Sequence, residues 1–92
     1  MKVTIFIGAY TSYTSNDYEL YPPETFFFTD EARAKAWYKN SITDDIRENA
    51  DEDDDITESG DLEFDGINKA QYEATINDDK YALTMERKEV EL

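Results

Sequence analysis

The chain has no cysteine and no histidine. The first absence excludes disulfides, thiolate nucleophiles and zinc held by cysteine, and it leaves the redox compartment open. The second removes the commonest general base and the commonest zinc ligand. Basic residues are scarce too: nine Lys and Arg stand against 23 Asp and Glu, for a net charge of −14. Such an excess argues against anionic membrane surfaces and against direct binding of nucleic acid. No apolar run approaches the roughly 20 residues needed to span a bilayer. The opening segment, Met1 to Ala9, is too short and too interrupted by Thr4 for a secretion signal. The partners that this charge favours are basic proteins, polyamines or metal cations.

The acid that is present is concentrated. Twelve carboxylates fall within 22 residues: Asp44, Asp45, Glu48, Asp51, Glu52, Asp53, Asp54, Asp55, Glu58, Asp61, Glu63 and Asp65. Arg47 is the one cation among them, so the window carries −11 of the total. The chain is nonetheless too rich in aromatics, with seven Tyr, five Phe and one Trp, for a wholly disordered acidic protein. Ninety-two residues predict one domain over 1–92. A modest core is available from Val3, Ile5, Ile7, Phe26 to Phe28, Trp37, Ile42, Ile46, Leu62, Phe64, Ile76, Leu83 and Met85.

Alternation of Val3, Ile5 and Ile7 with Lys2, Thr4 and Phe6 predicts a strand over residues 2–9, with Gly8 as a turn residue at its end. Residues 10–23 read as a polar connection that holds Tyr10, Tyr13, Tyr18 and Tyr21 and closes on Pro22-Pro23. Thr25 to Phe28 read as a second short strand. Thr29 or Asp30 caps a helix, and Ala34, Tyr38, Ile42 and Ile46 recur every four residues as its buried stripe, with Trp37 beside them. The pattern predicts helix to about Ile46 and does not say whether it continues into the acidic run. Leu62 and Phe64 alternate as a further short strand between Gly60 and Gly66. Ala70 to Ile76 and Tyr81 to Met85 alternate on either side of Asn77-Asp78-Asp79-Lys80, which predicts a C-terminal β-hairpin. The expected fold is α+β: a small antiparallel sheet with one main helix packed on a face.

Several chemistries can be weighed against these residues. Asp51-x-Asp53-x-Asp55 matches the first three ligands of a calcium-binding EF-hand loop. The match then fails, because Ile56 stands where glycine is needed and Leu62 where a bidentate Glu is needed. Crowded acids spell such a triplet by chance, so no metal site or cofactor is expected, beyond weak non-specific cation binding. No phosphate-cradling loop, nucleophile elbow or kinase signature is present, and no enzyme is expected. The tyrosines of the first connection serve either to finish a small core or to form an interface, and a homodimer would satisfy both.

The remaining chemistry is imitation of DNA. Duplex DNA carries one negative charge per roughly 1.7 Å of axis. As a helix, residues 44–55 would span about 18 Å and hold their eight carboxylates at about one per 2.2 Å. Asp44, Glu48, Asp51/Glu52 and Asp55 would then share one ridge. Like charges so placed cost about 0.2–0.5 kcal/mol per pair, and a cost repeated in this way points to a use. Against this stands a solvated acidic loop that merely aids solubility.

The opening MKVTIFIGAYTSYTS, the run ENADEDDD and the chain length together resemble the anti-restriction nuclease proteins of T-even bacteriophages, a family of DNA mimics. The resemblance implies a small non-enzymatic inhibitor, a homodimer, acting in the host bacterial cytoplasm. It implies a DNA-binding partner, a McrBC-type modification-dependent restriction endonuclease, whose DNA-binding surface would be occupied. It brings no catalytic residues. The candidate partner-binding residues are therefore Asp44, Asp45, Glu48, Asp51, Glu52, Asp53, Asp54, Asp55, Glu58 and Asp61. Another acidic inhibitor of a DNA-binding protein, of anti-CRISPR type, an acidic chaperone or sequestering module for basic proteins, and a cation-binding protein are the alternatives.

Overall fold

The computed structural model describes residues 1–14, 19–20, 24–51 and 53–91. Six strands and one main helix follow in the order β1 (Lys2–Thr14), β2 (Glu19–Leu20), β3 (Glu24–Phe28), α1 (Glu31–Asn40), β4 (Ile56–Gly60), β5 (Ala70–Ile76) and β6 (Asp79–Glu91). Every pairing is antiparallel, and the strand order is β2-β1-β6-β5-β4. β3 pairs with β1 along the same edge as β2. One helix packs on one face of this sheet, so the predicted α+β class and the C-terminal hairpin are both present.

The hairpin follows its alternation closely. Ala70, Tyr72, Ala74 and Ile76 are buried, as are Tyr81, Leu83 and Met85 across from them. The turn is tighter than predicted: Ile76 pairs with Asp79, leaving only Asn77-Asp78 between the strands. Asn77 adopts φ 55°, a left-handed conformation that Asn tolerates better than most residues. β6 runs on past Met85 to Glu91 and pairs with β1 from Lys2↔Glu91 to Tyr13↔Lys80. At about 3.3 Å per residue each of these two 13-residue strands is about 43 Å long, and the pair accounts for most of the 50 Å long axis of the molecule.

The helix starts where its cap predicts. The Asp30 carboxylate accepts the Ala32 N–H at 2.8 Å from an extended backbone (φ −112°, ψ 120°). Ala34, Tyr38, Ile42 and Ile46 are all within 1 % of full burial. The stripe is continuous although the helix changes pitch beneath it. After Asn40 the chain widens into a π-helical segment, Ser41–Ile46, then tightens into a 3-10 turn, Arg47–Asn49, and Ala50 is extended.

The structure corrects three readings. Residue 8 is not at a strand end, since β1 continues through Tyr10 and Tyr13 to Thr14. Nor do Val3, Ile5 and Ile7 face the helix. The buried member of β1 is Phe6, and Phe6, Gly8 and Tyr10 share the face that carries the core. Gly8 decides this parity: a Cβ there would lie 2.4 Å from the Trp37 ring, so only glycine lets the indole lie against the strand. Phe26 and Phe28 flank that indole at centroid distances of 5.1 and 5.7 Å. Finally, Leu62 and Phe64 form no strand. Phe64 is buried edge-on against Phe6, but Leu62 is half exposed. Gly60 turns the chain at φ 103°. The Asp65 carboxylate accepts the N–H groups of Ile67 and Asn68, both at 2.8 Å, so side-chain hydrogen bonds replace strand pairing there.

The closeness of Trp37 to Gly8 predicts the effect of adding one carbon. Gly8→Ala should destabilise the protein by about 1–3 kcal/mol, the usual cost of overpacking a filled site. Urea denaturation should show a lower midpoint with little change in slope. An unchanged midpoint would mean that the helix can lift off the strand freely.

Candidate functional site

The acidic window begins on the last turns of the helical segment and ends in the loop after β4. Asp44 and Asp45 lie on the π-helical segment and Glu48 on the 3-10 turn, all three exposed. The helical path stops at Asn49, so the single helical ridge of Asp44, Glu48, Asp51 and Asp55 does not form. The 3-10 turn exhausts the helix before the acids are densest, consistent with the repulsion that a continuous acidic helix would have carried. Glu52 lies outside the described residues, as do Tyr18, Tyr21 and Pro22-Pro23.

The acids after the helix are held by local hydrogen bonds. The Asp54 carboxylate accepts the Asp51 N–H at 2.8 Å, and the Asp54 N–H returns to the Asp51 carbonyl at 3.1 Å. Asn77, from the turn between β5 and β6, clamps the same segment. Its side-chain amide donates to Asp54 at 3.0 Å, and its backbone N–H donates to the Asp55 carbonyl at 2.9 Å. The Asp55 N–H reaches the Asn77 side-chain oxygen at 3.4 Å. The left-handed backbone of Asn77 therefore serves both the hairpin turn and the acidic segment. The Asn77 amide, with the Asp51 N–H, holds the Asp54 carboxyl below the usual carboxylate range.

β4 then carries the chain along the sheet edge, with all its residues exposed. Glu58 points back to the helical segment and receives the Arg47 guanidinium in a two-point contact at 2.8 and 3.0 Å. That hydrogen bond lowers the Glu58 pKa, and Arg47 offsets its charge locally. Beneath this pair the Tyr72 hydroxyl is buried with no hydrogen-bonding partner among the described residues. Burial, and then the Glu58 carboxylate, push it up to about 12. The Asp61 carboxylate accepts the Gln71 N–H at 3.2 Å, and the Asp61 carbonyl accepts the Tyr38 hydroxyl at 2.7 Å. Asp54, Glu58 and Asp61 thus build the surface, while Asp44, Glu48, Asp51, Asp53 and Asp55 present exposed carboxylates with no ion pair among the described residues. Sequence spacing offered no means of making this division, because Asn77 and Gln71 lie in other elements.

Among the described residues no three acidic side chains converge into a group that could hold a metal ion. No helix among them is long and apolar enough to cross a membrane. Comparison with protein-family models, with curated proteins and with solved structures finds no match for this chain.

The Asn77 clamp predicts a specific titration. Asn77→Gly keeps a residue that accepts φ 55° but deletes the side-chain donor. By carboxyl-carbon NMR, Asp54 should titrate at higher pH in this variant than in the parent protein, while Glu58, held by Arg47, should not move. Because the folded-state pKa of Asp54 is depressed, its contribution to stability is present above the ordinary carboxylate range. It is lost as pH falls through the lowered value. An unmoved Asp54 would show that the Asn77 side chain does not hold its carboxylate.

Proposed function

We propose that the protein is a non-enzymatic DNA mimic, which presents carboxylates in place of phosphates and occupies the DNA-binding surface of a basic partner. The observation that carries this reading is the framing of the acidic segment. Asp51, Asp53 and Asp55 are exposed, yet the turn that bears them is tied to the β5–β6 hairpin by Asn77. Acids that served solubility alone would need no such tether. A partner that reads phosphates does need fixed positions, because its Lys and Arg are fixed in space. The framework that fixes them is a long, narrow domain, 50 by 24 by 17 Å.

The resemblance to the anti-restriction proteins of T-even phages supplies the proposed target, a McrBC-type modification-dependent restriction endonuclease, and the proposed location, the cytoplasm of an infected bacterium. A homodimer is part of the same proposal. The carboxylates proposed to contact the partner are Asp44, Asp45, Glu48, Asp51, Asp53 and Asp55, with Asp54, Glu58 and Asp61 holding the frame.

Positional dependence is the test. Replacing Asp44, Glu48, Asp51 and Asp55 by Asn or Gln removes four charges from the proposed surface with little change of shape. Replacing Glu73, Asp78, Glu86 and Glu91 removes as many elsewhere. The first set should abolish most inhibition of DNA binding by the partner and the second should leave most of it, with both variants folded by circular dichroism. Equal losses would identify a sequestering module that responds to total charge.

A further inference from the structure

A second feature of the helix lies beside the buried stripe. Trp37, Ser41 and Asp45 are spaced four residues apart and line one side of a recess of about 250 Å³. Tyr10, Phe26 and Glu24 line the other side. The sheet explains the grouping. Tyr10 pairs directly with Glu24, and Phe26 lies two residues further along β3 on the same face. Gly8, two residues before Tyr10, admits the indole of Trp37. The three aromatic rings are half-buried, and the carboxylate-bearing residues Asp45 and Glu24 are exposed at the rim. Burial, then the neighbouring Tyr81 hydroxyl, Asp45 and Glu24, push the Tyr10 hydroxyl up to about 12, so the field of both acids reaches into the recess.

Aromatic faces beside carboxylates select for cations. We propose that this recess receives one arginine side chain of the basic partner, its guanidinium stacked on the Trp37 wall and its N–H groups donated to Asp45 and Glu24. Arginine fits better than lysine because its planar fork stacks and makes two-point contacts with carboxylates, whereas an ammonium is a compact, strongly hydrated point charge. The assignment rests on the reading of the partner as a basic, DNA-binding protein. It adds a place where one side chain is gripped, beside a surface that matches charge in general.

Trp37 is the only tryptophan in the chain, so its fluorescence and its indole N–H resonance report on this recess alone. The probes are the tripeptide Gly-Arg-Gly as its amide and the same peptides with citrulline or lysine in place of arginine. The arginine peptide should move both Trp37 signals saturably, the lysine peptide more weakly and the citrulline peptide not at all. The double variant E24Q/D45N should weaken the response by about tenfold or more, the loss expected when charge-assisted hydrogen bonds are removed. The variant E73Q/E86Q, with the same net charge, should retain it. Equal weakening in the two variants, a citrulline response equal to that of arginine, or arginine binding that shifts other resonances and leaves Trp37 still would each overturn the recess. In the last case, competition with duplex for a DNA-binding partner would still stand. Saturable arginine binding at Trp37 without any such competition would retain the recess and remove the mimic.

Discussion

The indole of Trp37 occupies space that a side chain on residue 8 would need, so the approach of the helix to β1 depends on Gly8 lacking a Cβ. With that approach allowed, Ala34, Tyr38, Ile42 and Ile46 reach full burial against the face formed by Phe6, Tyr72, Leu83 and Met85. The burial of four such side chains, at about 25 cal/mol per Å² of apolar area removed from water, sets the direction in which the helical segment runs. Its end, at Asn49, is where the acidic segment has to begin. Where the acidic segment leaves the helix is thus a consequence of packing made forty residues earlier in the chain, and the mutual repulsion of its charges works against that placement.

Repulsion is instead contained by local devices. The window from Asp44 to Asp65 holds a single cation, Arg47, and the fold places it on Glu58. Backbone and side-chain amides serve the neighbouring acids: the Asp51 N–H and Asn77 for Asp54, Gln71 for Asp61, and Ile67 and Asn68 for Asp65. Hydrogen bonds from uncharged donors stabilise a carboxylate without cancelling its charge. This is the chemistry by which a surface can be ordered and still remain strongly negative, and the proposed mimicry needs both properties.

Much of this was legible in the residues. The four-residue repeat from Ala34 to Ile46 identified the buried stripe, and the alternation of residues 70–76 with 81–85 identified the hairpin, because each pattern reports directly on one face of one element. The parity of β1 was not legible. Ile5, Phe6 and Ile7 offer apolar side chains to both faces, and what decides between them is the size of Trp37, a residue of another element. Gly8 reads as a turn in isolation and as a packing site only with the helix in place. Leu62 and Phe64 alternate like a strand, but Gly60 and the hydrogen bonds of Asp65 take the chain elsewhere. The candidate surface was legible as a composition. Its geometry was not, since the pinning of Asp51 to Asp55 comes from Asn77, more than twenty residues away. Whether the helix ran on into the acidic run was left open by the pattern, and it stops at Asn49: the charge density that would make such a helix an imitation of DNA also works against helix continuation.

The central claim is that this surface and duplex DNA compete for one groove on a basic partner. The most direct measurement is the affinity of the partner for the protein, with and without duplex, across a series of salt concentrations. Binding of the two should be mutually exclusive. The protein's affinity should fall with salt, but with a shallower slope than that of DNA, because the protein carries no condensed counterion atmosphere to release. Simultaneous binding of duplex and protein with unchanged affinities would contradict the account.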